Sequence, residues 1–229
     1  MQPAVPFNSV AGPRWRWRDR ETAGRELAEQ LLRHAPPPTD ALLLALPRGG
    51  VPVAVAMARR LRLPVATWSA RKLAAPSQPE FAIGAIAPGD VVLWASAPGA
   101  AWPSVDQRQR ILDQQGQELQ RRQRLFGDPN PADLCQRHLI LVDDGIATGL
   151  TARAALRSLR QLQPASLTLA VPVLDQRVRA QLLPLVDRLV ALAVVDGLQA
   201  VGEYYEKFEQ LRDDAVLALL NRRLGQDAP

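Results

Sequence analysis

The chain has 229 residues, 47% of them apolar, which is enough to bury one sizeable core, and a formal charge of +5 that points to an anionic partner. The basic residues are scattered, which disfavours nucleic acid. Cys135 is the only cysteine, so an intrachain disulfide is excluded, and with His34 and His138 as the only histidines a Cys/His zinc site is strongly disfavoured. No apolar run reaches a membrane span of about 20 residues, and "MQPAVPFNSVAGPRWRWRDR" lacks the apolar region of a signal peptide, so a cytoplasmic chain with no membrane partner is expected.

In chain order, residues 1–13 carry no periodic pattern and read as loose. "RDRETAGRELAEQLLRHAPPP" spaces Leu27, Leu31 and Leu32 for a helix that the proline run stops. "ALLLALP", 41–47, is a continuous apolar run suited to a strand buried on both faces. "GGVPVAVAMARRLRL" predicts a helix with Pro52 in its first turn, and "PVATWSA", 64–70, a second strand. Residues 71–90 begin as a loop and become a hairpin turning at "PGD", with "VVLW", 91–94, returning.

A polar helix over 105–126 follows, with a thin apolar stripe (Ile111, Leu112, Leu119, Leu125) suited to a partner subunit and a solvated end at "QRRQRLFGD". Then come strand 139–143, helix 151–162, strand 166–173, helix 175–183 and strand 188–195. This alternation predicts a parallel α/β sheet flanked by helices. One domain over 14–210 is expected, followed by a C-terminal helix and tail at 211–229. Arg14, Arg16 and Arg18, interleaved with Trp15 and Trp17, read as an N-terminal strap or a helix lead-in.

The chemistry concentrates in "LILVDDGIATGLTARAALRSL", 139–159. Asp143 and Asp144 end a strand, where open α/β sheets bind ligands. The loop 145–150 leads into a helix N-terminus, whose free N–H groups and dipole favour an anion. Gly145 and Gly149 let the backbone approach closely, and Thr148 and Thr151 add hydroxyls. Like charges repel, so the carboxylates must face donors, either sugar hydroxyls or a metal ion. A phosphate beside a ribose diol satisfies both halves. Leu150 stands where a Walker A motif needs lysine, which disfavours a P-loop NTPase. A receiver domain would need a later lysine, which Lys207 supplies only loosely.

"ILVDDGIATGLT" resembles the PRPP-binding signature of type I phosphoribosyltransferases. "LALPRGGVPVAVAMARRL" resembles that family's pyrophosphate loop, and "RKLAAPSQPEFAIGAIA" the flexible basic loop of a poorly characterised bacterial branch. Together with "AVGEYYEKFEQ", these segments cover about residues 14–210. The resemblance implies a Rossmann-like phosphoribosyltransferase fold and transfer of ribose 5-phosphate from PRPP to a nitrogen acceptor, a nucleobase foremost, with magnesium and within a homodimer. It implies that Asp143 and Asp144 bind the ribose hydroxyls, directly or through magnesium-bound water, and stabilise developing positive charge. Gly145, Ile146, Ala147, Thr148, Gly149, Leu150 and Thr151 would hold the 5′-phosphate, the amides of 146–150 supplying the backbone donors. Arg48, with the amides of Gly49 and Gly50, would take the pyrophosphate. Arg71 and Lys72, one of only two lysines beside 26 arginines, would begin a mobile lid. Glu80 has no assigned role.

Ala147 departs from the hypoxanthine–guanine pattern, which places an acid there beside the base. Tyr204, Tyr205 and Phe208 are candidates to line the acceptor pocket, Tyr204 and Phe208 foremost. The other reading is a non-catalytic PRPP- or nucleotide-binding regulator of the same fold. The lack of an evident DNA-reading element weighs against it.

Overall fold

The computed structural model describes residues 16–76, 78–95 and 102–224. Residues 1–13, Arg14, Trp15, the Glu80 side chain and the tail past Leu224 lie outside the described residues. The main sheet is formed by β1 (Leu42–Ala45), β2 (Val65–Thr67), β6 (His138–Val142), β7 (Ser166–Asp175) and β8 (Arg188–Val195). Its order is β2-β1-β6-β7-β8, and every pairing is parallel. Helices α1 (Arg20–His34) and α2 (Gly50–Leu61) cover one face. Helices α4 (Leu150–Gln161) and α5 (Gln176–Leu182) cover the other. With both faces covered, β1 and most of β6 are buried at every position, as their unbroken apolar runs require.

The strand order puts a topological switch point between β1 and β6. The chain leaves β1 toward β2 on one side and leaves β6 toward β7 on the other. The loops after β1 and β6 therefore flank a crevice at the carboxyl end of the sheet.

The segment 71–94 differs from expectation. Residues 71–75, expected as loop, form β3 (Arg71–Ala75), paired antiparallel with β4 (Gln78–Ala87), which pairs in turn with β5 (Val91–Trp94). The Pro-Gly-Asp turn is as predicted, with Gly89 and Asp90 both at positive φ. One face of this small sheet joins the core under α4 through Ala85, Ala87, Val91 and Leu93. The other face, with Leu73, Ile83 and Ile86, packs on helix α3 (Val105–Phe126). Ile111, Leu112 and Leu119 of α3 are spent on that contact, so the apolar stripe assigned to a partner subunit is satisfied within the chain. Nor is the end of α3 a solvated one. Arg122 is buried and paired with Glu118 at 2.8 Å, and Phe126 enters the main core.

The C-terminal helix α6 (Asp213–Leu224) buries Val216 in the core beside α2. Trp17 is also buried. It bridges to Tyr205, and residues 17 and 18 accept backbone bonds from Glu206 and Lys207. The N-terminal strap and the 205–212 segment are thus sewn together over the carboxyl end of the sheet.

Candidate active site

The loops after β1 and β6 meet at the acid pair. Gly49 and Gly50 make the contact possible. A Cβ on Gly49 would sit 2.0 Å from Asp144 Oδ2, and one on Gly50 would sit 2.5 Å from the Val142 carbonyl oxygen. The Pro47–Arg48 peptide that precedes them is cis.

Asp143 and Asp144 share a confined space. The Asp144 amide donates to Asp143 Oδ1 at 2.9 Å. Burial, and next the charge of Asp144, push the Asp143 carboxyl well above the usual range. Burial raises Asp144 as well, opposed by Arg20. Arg20 Nε donates to Asp144 Oδ2 at 2.8 Å, and the Tyr205 hydroxyl donates to the Asp144 carbonyl at 2.6 Å. Burial pushes the Tyr205 hydroxyl up, so it remains a donor across the working range of the protein.

Two cavities lie on either side of the pair. One, of 130 Å³, is lined by Asp143, Gly145, Ile146, Ala147, Thr148, Gly149, Thr151 and Ala152. Gly149, at φ 72, turns the chain into α4, and the first bond of that helix runs from the Arg153 amide to the Gly149 carbonyl. Among the described residues, the amides from Ala147 to Ala152 have no backbone acceptor, so their N–H groups are open to an anion. Ile146 is a correction. Its N–H donates to the Val173 carbonyl at 2.9 Å in an isolated bridge to β7, so it shapes the loop and has no donor to give.

The other cavity, of 360 Å³, is lined by Arg20, Arg48, Gly49, Asp144 and the 208–211 strap. Arg48 donates to the Leu211 carbonyl at 2.5 Å and stands 3.8 Å from Asp213. Gly50 is a second correction. Its amide donates to the Leu46 carbonyl at 3.0 Å, so only the Gly49 amide is available on this side.

Arg71 and Lys72 sit on β3, and neither lines these cavities. Arg71 is held by Gln115 of α3 through bonds of 3.1 and 2.7 Å. Its guanidinium is destabilised first by burial and then by Arg122, with Arg48 also close enough to contribute. Arg71 and Lys72 therefore stand on a paired strand, where a loop was expected.

The acceptor candidates change too. Tyr204 lines neither cavity, and its carbonyl ties down the strap by accepting from Arg16 and Trp17. Phe208 reaches the larger cavity, but its ring already carries Arg20 at 3.7 Å and stacks on Tyr205 at 5.1 Å. It is spent on organising the acid pair. Sequence reasoning missed Arg20 altogether.

Among the described residues no group of three or more His, Cys, Asp or Glu side chains could hold a metal, and no helix is long and apolar enough to cross a membrane. A magnesium site made of one or two carboxylates and several waters is compatible with the acid pair, whose raised carboxyls would be relieved by a cation.

Two provisionally named phosphoribosyl transferases of Mycobacterium tuberculosis, from strains CDC 1551 and H37Rv, are each 39% identical over 212 residues. The match takes in 89% of this chain and 46% of theirs, so the chain spans about half the length of these relatives. The crystal structure of TT1426 from Thermus thermophilus is 35% identical with a TM-score of 0.69, covering 90% of this chain and 98% of that one. A Neisseria gonorrhoeae hypothetical protein with bound ppGpp shares the fold at 13% identity and a TM-score of 0.53, covering 93% and 99%. The family described as phosphoribosyl transferase domain matches residues 16–187, and the chain belongs to that family.

Proposed function

We propose that this chain transfers ribose 5-phosphate from PRPP to a nitrogen acceptor, a nucleobase in the first instance, with release of pyrophosphate. One observation carries the reading. The acid pair stands between a small cavity lined by open amides and hydroxyls and a larger one lined by arginines. PRPP has that layout, with a monophosphate at one end, a diol in the middle and a diphosphate at the other end.

The amides of 147–151, with the Thr148 and Thr151 hydroxyls, hold the 5′-phosphate. Asp143 and Asp144 accept the ribose hydroxyls, and their charge opposes the positive charge that grows on the ring as the bond to pyrophosphate lengthens. Arg48 and the Gly49 amide bind the departing diphosphate. Arg71 and Lys72, on the strand beside them, add positive potential from farther out. Asp143 and Asp144 would hold magnesium, through water or ribose oxygens, and the ion would add neutralising charge for the diphosphate. The chain's own contribution is position and electrostatics, with no covalent nucleophile required. The homodimer implied by the family resemblance would use a face other than the apolar stripe of α3.

The test is thermal denaturation with magnesium-PRPP. At a ligand concentration one hundred times its Kd, the folded state gains about 2.7 kcal/mol, and ribose 5-phosphate gives a smaller gain. A melting curve unmoved by saturating magnesium-PRPP would overturn the assignment.

A further inference from the structure

Arg20 lies outside every motif in the sequence, yet it sits at the centre of the site. It opens α1, 124 positions before Asp144 in the chain, and its side chain is only 11% exposed. Three contacts fix it. Nε donates to Asp144 Oδ2 at 2.8 Å, one terminal nitrogen donates to the Glu209 carbonyl at 3.1 Å, and the guanidinium lies 3.7 Å from the centre of the Phe208 ring. A guanidinium has five N–H donors in a rigid fork. Two are used, and the rest have no acceptor among the described residues. The same guanidinium lines the larger cavity beside Arg48 and Gly49. Those donors are open to that cavity, where an anion can reach them.

We infer that Arg20 is a further pyrophosphate-binding residue, held rigid by Asp144, Phe208 and the Glu209 carbonyl so that its remaining N–H groups meet the diphosphate of the donor. The inference rests on the donor reading given above. The bond from ribose C1 to oxygen breaks with its electron pair going to pyrophosphate, while the lone pair of the acceptor nitrogen forms the new bond to C1 and the proton on that nitrogen passes to water. Charge therefore accumulates on the diphosphate, where a pre-positioned planar cation is most effective. Arg20 engages only Oδ2 of Asp144, so Oδ1 remains for the ribose or for magnesium-bound water. The same contact links the two halves of the site, since the cation that takes the leaving group also orients the carboxylate facing the sugar.

Calorimetric titration of the full chain tests this with two separate probes, magnesium pyrophosphate and ribose 5-phosphate. Arg20→Gln is expected to weaken pyrophosphate binding about 10- to 100-fold, the scale of a lost charge-assisted bond. Ribose 5-phosphate affinity should fall much less than pyrophosphate affinity, because the 147–151 loop that grips its phosphate is untouched and only the orientation of Asp144 is loosened. Arg20→Lys should restore part of the loss, since it returns the charge without the fork. It also serves if the glutamine variant does not fold, with pyrophosphate still the more weakened probe. Wild-type pyrophosphate affinity in Arg20→Gln would overturn the inference while leaving the donor reading standing. Equal weakening of both probes would reduce Arg20 to a structural tie and overturn it too. A wild-type protein that binds neither magnesium-PRPP nor pyrophosphate would bring down the donor reading and this inference with it.

Discussion

Gly49→Ala isolates the contact on which the site depends. Gly49 has φ −62 and ψ −36, a conformation any residue adopts, so the substitution adds no backbone strain and acts through sterics alone. The new methyl would lie 2.0 Å from Asp144 Oδ2 and 2.5 Å from its Cγ, where ordinary contact begins at 3.4 Å. The carboxylate must retreat by about 1.4 Å, or the loop after β1 must lift by as much. Retreat of the carboxylate breaks the 2.8 Å bond from Arg20, a charge-assisted bond worth about 1.5–3 kcal/mol. For a chain of this size that is a fall in Tm of about 3–12 °C. The loss of geometry matters more for turnover, because a displacement of about 1 Å at the reacting centre costs roughly 10²-fold. Gly116→Ala is the control. It lies within α3 with nothing within 4 Å of the added methyl, and should raise stability by about 0.5–1 kcal/mol through backbone entropy. Thermal denaturation and magnesium-PRPP titration of the two variants decide the matter. If Gly49→Ala melts with the wild type and binds the donor equally well, the loop after β1 does not pack against Asp144, and the two-cavity description of the site fails.

Two further outcomes are expected. The folded-state pKa of Asp143 lies above 3.8, so the folded protein keeps this proton at pH values where the unfolded chain has lost it. Stability from this group therefore falls as pH rises from 3.8 through the folded-state value, and the cost of ionisation is present in full above it. Asp143→Asn should consequently melt higher than wild type near neutral pH, with the advantage shrinking as pH approaches 3.8. An advantage that does not change with pH would show that charge is not its source. For the acceptor, Ala147 stands where the hypoxanthine–guanine pattern places an acid beside the base, so weak or no turnover of hypoxanthine and guanine is expected in a pyrophosphate-release assay. Robust turnover of either base would mean that another residue supplies the missing acid.

The loop 145–150 was legible because its geometry is local. An apolar strand, two acids, a glycine at positive φ and a helix N-terminus follow one another along the chain, and backbone rules act over that range. The strand alternation fixed the α/β class for the same reason. Other features depended on which strands became neighbours. The Ile146 amide is consumed because β7 lies beside β6. Arg71 became part of a strand because β4 offers it a partner, and the stripe on α3 was filled by that same small sheet. Periodicity marks an apolar face but carries no information about what covers it. Arg20 shows the limit most clearly. In the sequence it is one of 26 arginines at the start of a surface-patterned helix. Only the packing of α1 beside α2, and of the 205–212 strap across the carboxyl end of the sheet, brings its guanidinium between Phe208 and Asp144. Pairing over 124 positions is decided by the energy of the whole core, which no local pattern encodes.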